Sequence, residues 1–159
     1  MTGIGPGSPA SVPVPAAGVR IGVDVGTVRV GVAVSDPGGV LATPLVTLAR
    51  DNTGARGDLD RIAALVRERH AVEVVVGLPR SLSGKRGPAA RSVEEYVEEL
   101  TARVNPVPVR LVDERLTTVV ATRNLARSGI RGRKGRSVVD QEAAVLILQG
   151  WLDAVRTSR

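Results

Sequence analysis

The chain has 159 residues, 43% of them apolar, no cysteine, a single histidine and a net charge of +6. That length and apolar content suit one domain with one sizeable core. The missing cysteine excludes disulfides and thiolate metal sites, one histidine is too few for a histidine-based metal site or triad, and no stretch approaches a transmembrane span.

Residues 1–17 carry Pro6, Pro9, Pro13 and Pro15, three glycines and no charged side chain. They read as a flexible tail ahead of a single domain over 18–156. They lack the basic and apolar regions of a signal peptide, so the chain is expected in the cytoplasm, away from membranes.

The first predicted elements come from "IGVDVGTVRVGVAVSD", residues 21–36. Val19, Ile21, Val23 and Val25 alternate with Arg20, Gly22, Asp24 and Gly26, and Val28, Val30, Val32 and Val34 alternate with Arg29, Gly31, Ala33 and Ser35. Period two in both runs predicts two strands joined as a hairpin across Gly26-Thr27. Asp24 then faces away from the valines, on a side of small residues that something must cover closely or enter. A buried carboxylate is costly unless it is given a cation, a hydrogen-bond network or a wet cleft. Asp24 also reads as a turn former ahead of Gly26. Asp36-Pro-Gly-Gly marks a turn, and residues 40–48 a third strand.

Leu59, Ile62, Ala63 and Val66 have helical spacing, and "VEVVVGLP", 72–79, is a continuous apolar run expected of a strand buried on both faces. His70, at the end of that helix, is expected at the surface. A helix is predicted from Ser92 to Val104, opened by a Ser92–Glu95 capping box, with Val93, Tyr96, Val97, Leu100 and Val104 as its apolar stripe. "VRLVDE", 109–114, is a fifth strand. A helix over about 116–127, a mobile loop over 129–137 and a last helix over about 138–156 follow. The last helix should bury Ala143, Ala144, Ile147, Leu148, Trp151, Leu152 and Val155. The order predicts an α/β fold: a mixed five-stranded sheet, three antiparallel strands then two parallel, flanked by helices.

Basic residues are unevenly spread. Between Arg115 and Arg136 lie seven cations, including Arg131, Arg133 and Lys134, and no acid stands between Glu114 and Asp140. This segment is a candidate contact for phosphate backbones. Arg80, Lys85 and Arg86, with Gly84 and Gly87, make a second one. Two further acids adjoin these stretches. Glu114 ends the fifth strand, where α/β sheets commonly place functional groups, and Asp140 begins the apolar stripe of the last helix. Glu114 could also pair with Arg115, and Asp140 could also complete a capping box with Ser137. Three carboxylates without histidine or cysteine suit hard cations such as Mg²⁺ or Mn²⁺. Two such ions about 3.5–4 Å apart can hydrolyse a phosphodiester.

"IGVDVGTVRVGVAVSD", "VVVGLPRSLSGKRGP", "VDERLTT" and "DQEAAVLILQGWL" together resemble the signature blocks of the YqgF/RuvX family. The resemblance spans residues 19–152. It implies a ribonuclease-H-like fold and the activity of a nuclease, either a Holliday junction resolvase or an enzyme that matures the 5′ end of pre-16S ribosomal RNA. It implies Asp24, Glu114 and Asp140 as the catalytic, metal-holding acids, with branched DNA or precursor rRNA as partner. A symmetric junction cut would favour a homodimer. Two other readings stand beside it. One is a nucleic-acid binding module without catalysis. The other is an ATP-binding protein of the actin, Hsp70 and sugar-kinase type, which "DVGT" also resembles but which needs a second clamping domain.

Overall fold

The computed structural model describes residues 17–79, 87–113 and 132–157, with 132–140 described as helix backbone only. Apart from residue 17, the tail therefore falls outside the described residues, as does the helix expected over 116–127.

The alternating runs form the expected strands, β1 (Arg20–Val25), β2 (Arg29–Ser35) and β3 (Ala42–Ala49). Helix α1 (Gly57–Glu68), strand β4 (Glu73–Leu78), helix α2 (Pro88–Val104), strand β5 (Val109–Asp113) and helix α3 (Gly132–Thr157) follow. The sheet order is β3-β2-β1-β4-β5. β1, β2 and β3 pair antiparallel, and β1, β4 and β5 pair parallel. The mixed five-stranded sheet expected from the sequence is thus the one observed.

Two apolar layers hold it. On one face, Ile21, Val23, Val30, Val32, Val74 and Val76 pack against the stripes of α1 and α2, including Leu59, Ile62, Tyr96 and Leu100. On the other face, Ala33 and Val75 pack against Ala143, Ala144, Ile147, Leu148 and Leu152 of α3. Small residues let α3 come close: a Cβ on Gly22 would stand 2.7 Å from Leu148 Cβ, and one on Gly77 2.5 Å from Ile147 Cδ1. The cover expected over the small-residue side is therefore α3.

Several expectations need correction. Val28 lies exposed in the turn ahead of β2 rather than in the strand, and Trp151 and Val155 of α3 are half-buried rather than buried. Helix α2 begins at Pro88, four residues before Ser92, with Gly87 as N-cap and no side-chain cap. Proline at the first helical position fits there because its missing N–H would be unsatisfied anyway. The Ser92 hydroxyl is inside the helix and accepts a hydrogen bond from Arg50 instead of capping. Helix α3 begins at Gly132, so residues 132–137, expected in a mobile loop, belong to its first turns. A glycine inside a helix costs only about 1 kcal/mol, so Gly135 does not stop an element anchored by the long apolar stripe beyond it.

Candidate active site

Asp24 is the next-to-last residue of β1 and is 4% exposed. It pairs with Gly31 of β2. Alternation along β1 puts it on the face of Gly22, under α3. The strand is held on both sides, by β2 and β4, which fixes the Asp24 backbone at the carboxyl edge of the parallel strands. Open α/β sheets place ligands beyond that edge.

Helix α3 runs antiparallel to β1. Leu148 lies over Gly22, while Trp151, further along, donates to Glu73, the partner of Arg20 in the sheet register. Residues earlier in α3 therefore lie toward Val25. Asp140 precedes Ala144, whose carbonyl is close to Gly22, by one turn of about 6 Å. The helix backbone at Asp140 is thus shifted from Gly22 toward the end of the strand that carries Asp24.

Glu114 follows Asp113, the last residue of β5, and lies outside the described residues, as do Arg80, Lys85, Arg86, Arg115 and Arg131. Arg133, Lys134 and Arg136 belong to the first turns of α3. Among the described residues, no group of three carboxylate or imidazole side chains stands together to hold a metal ion. Asp24 is the one acid of the expected triad whose side chain is described. His70 is exposed, as expected.

The other acid of the opening hairpin does structural work. Asp36 Oδ1 accepts from the amides of Val40, at 2.8 Å, and Leu41, at 2.7 Å, and Oδ2 from the amide of Gly38. The amides of Leu41 and Val40 hold its carboxyl below the ordinary range. Beyond the Asp24 strand, Arg50 donates to the Gly26 carbonyl at 2.9 Å and to Ser92 Oγ at 3.0 Å. Nothing in the sequence pattern marked Arg50. The buried cluster of Arg20, Glu73 and Arg110 was likewise missed. Its signal was a charged residue, Glu73, within a strand expected to be buried on both faces, and Arg20 on the side of β1 expected to be covered.

The model of the RuvX family, described as Holliday junction resolvase, matches residues 18–154. The chain belongs to the RuvX family. It is a nuclease, a hydrolase of phosphodiester bonds. A relative from Frankia casuarinae, described as "Putative pre-16S rRNA nuclease", is 64% identical over 140 residues, 88% of this chain and 69% of that protein. A relative of the same description from Mycobacterium ulcerans is 54% identical over 153 residues, 96% of this chain and 89% of that protein. RuvC from Thermus thermophilus superposes with a TM-score of 0.53 at 14% identity, covering 87% of this chain and 96% of RuvC. RuvC in complex with a Holliday junction substrate gives a TM-score of 0.51 at 16% identity, covering 89% and 97%. These likenesses carry the ribonuclease-H-like fold of the RuvX chain.

Proposed function

We propose that this RuvX protein is a metal-dependent endonuclease of structured nucleic acid, with 5′-extended pre-16S rRNA as its substrate. Asp24, Glu114 and Asp140 are its catalytic acids. The observation that carries the reading is Asp24: a carboxylate 4% exposed, on the α3 face, one residue from the carboxyl edge of the parallel strands. What marks this carboxylate is its place at that edge, beyond which open α/β sheets set their ligands. The relatives' names favour the rRNA substrate. The family description favours a four-way DNA junction as the second reading, which a two-fold dimer would serve by presenting two sites.

Oxygen donors alone, without histidine or thiolate, fit Mg²⁺ or Mn²⁺. Bound there, such an ion supplies water activation and neutralises charge on the leaving oxygen. The protein's own part is positional and electrostatic. Asp24 is fixed by a strand paired on both sides, so its carboxylate needs little reorganisation as the phosphorus is attacked. Arg80, Lys85, Arg86, Arg115, Arg131, Arg133, Lys134 and Arg136 neutralise backbone phosphates and set the strand's approach.

The test is cleavage of a 5′-extended 16S precursor RNA and a four-way DNA junction, side by side, with Mg²⁺, Mn²⁺ or EDTA. Cleavage of the RNA with either ion and none with EDTA is expected. Cleavage of the junction alone would move the substrate to the second reading. Cleavage of neither would overturn the function.

A further inference from the structure

The turn that follows the Asp24 strand has little packing of its own. Thr27 and Val28 are exposed, Val28 by 63%. It is held by hydrogen bonds. The Gly26 amide donates to the Arg29 carbonyl at 2.9 Å, and the Arg50 amide donates to the Val28 carbonyl at 2.8 Å. The turn is tight enough that a Cβ on Gly26 would stand 2.8 Å from the Arg29 carbonyl oxygen.

The Arg50 side chain adds the remaining ties. Nη1 donates to the Gly26 carbonyl, two residues from Asp24, and Nη2 donates to Ser92 Oγ in α2. The guanidinium carbon lies 5.3 Å from the centre of the Tyr96 ring, also in α2. Tyr96 in turn donates its hydroxyl to Asp58 Oδ2 of α1 at 2.9 Å. Burial and the Asp58 carboxylate push the Tyr96 phenol up, so it stays a donor. One guanidinium thus links an exposed turn to a packed helix pair.

We propose that Arg50 is a positioning residue for cleavage: through the Gly26 carbonyl it holds the end of the Asp24 strand in register with α2. The proposal rests on the nuclease reading of Asp24. The planar fork of arginine is what the geometry uses, since two nitrogens reach two acceptors on different elements while the flat face covers Tyr96. A lysine has three donors on a single nitrogen, so it lacks both the two-nitrogen fork that spans Gly26 and Ser92 and the flat face over Tyr96. Misplacement of a catalytic group by about 1 Å can cost on the order of 100-fold in rate.

The experiment compares Arg50→Lys and Ser92→Ala with wild type, using the precursor RNA and the four-way junction, thermal unfolding and amide hydrogen exchange. For Arg50→Lys, kcat should fall roughly 10- to 100-fold with KM changed less than about 3-fold. The amides of Gly26 and residue 50 should exchange at least about 10-fold faster, while those of α1 keep their wild-type protection. Ser92→Ala, which removes the tie to Ser92 alone, should show a smaller loss in the same direction. Wild-type kcat in Arg50→Lys would overturn the assignment. So would a uniform rise of exchange across α1 and the turn, which marks general destabilisation. A wild-type protein that cleaves neither substrate overturns the nuclease reading and this proposal together. A wild type that cleaves, beside an Arg50→Lys that cleaves equally well, overturns the Arg50 role alone.

Discussion

Two acids are buried on the α3 face of one sheet, and they stand at opposite ends of its parallel strands. Glu73 opens β4 and is 0% exposed. Its Oε1 accepts from Arg20 Nε at 2.9 Å and Trp151 Nε1 at 2.8 Å, and its Oε2 accepts from Arg110 Nε at 3.0 Å. The two guanidinium groups come from β1 and β5, the strands on either side of β4, and the indole from the later half of α3. Asp24 sits at the other end of the face, at the carboxyl edge of β1. Burial is shared, so burial does not mark the acid proposed as catalytic. What separates the two is position. The amino end of the parallel strands is closed by a charge cluster that pins α3 down, while ligands of such sheets gather beyond the carboxyl end.

The sharpest way to break this contrast is to neutralise each acid in turn. Asp24→Asn should lower the cleavage rate by roughly 10³-fold or more, about 4 kcal/mol of transition-state stabilisation, with the melting temperature kept within a few degrees. Single-turnover cleavage beside thermal unfolding checks it. Glu73→Gln should do the reverse. It leaves two buried guanidinium groups short of a counter-charge, a loss of about 3–5 kcal/mol and roughly 10 °C in Tm. The folded fraction should cleave at close to the wild-type rate. A melt and an activity assay normalised to folded protein decide it.

A smaller effect sharpens the electrostatic side of the account. Replacing Arg131, Arg133, Lys134 and Arg136 by alanine should weaken binding to all sequences alike and flatten its salt dependence. The slope should change by up to about 0.9 log unit for each duplex phosphate that the variant no longer neutralises, read from binding isotherms at several salt concentrations. An unchanged slope would remove this segment from the interface.

The smallest effect concerns a third, exposed acid. Asp51 accepts from the Thr53 hydroxyl and amide and, through Oδ2, from the Gly57 amide that opens α1. The Thr53 hydroxyl and the Gly57 amide lower its pKa to about 2. A folded value below the unfolded one gives stability that is present above about pH 4 and lost as the pH falls toward about 2. Asp51→Asn should therefore lower the melting temperature at neutral pH, with the gap to wild type closing between about pH 4 and 2. Melts at a series of pH values test this.

Much of the fold was legible because period and face follow from the chain alone. Apart from Val28, which is exposed in the turn, the alternating valines of β1 and β2 named the face packed on α1 and α2, and Gly22 near Asp24 announced a close neighbour on the other face, which is α3. The stripes of α1 and α2 were legible in the sequence except for Asp58 and Leu65 of α1 and Ala90 of α2. Long-range pairing was less legible. Strand period assigns Arg20, Glu73 and Arg110 to a face, but their meeting depends on the β1-β4-β5 order. The start of α2 was misread because a capping box at Ser92 competes with Pro88 at the first helical position, and Arg50, distant in sequence, takes up the Ser92 hydroxyl. Of the proposed site, the place of Asp24 on the α3 face was legible from alternation. The joint role of Glu114 and Asp140 rested on their places at element ends and on the family blocks.

The central claim is that the two buried acids divide structure from catalysis. The most direct test measures cleavage of the precursor RNA and the four-way junction, together with unfolding free energy, for wild type, Asp24→Asn and Glu73→Gln from matched preparations. The account predicts that Asp24→Asn keeps its stability and loses cleavage, and that Glu73→Gln loses stability and keeps cleavage per folded molecule. An Asp24→Asn protein that cleaves at the wild-type rate, or that loses folding and cleavage together, would contradict it.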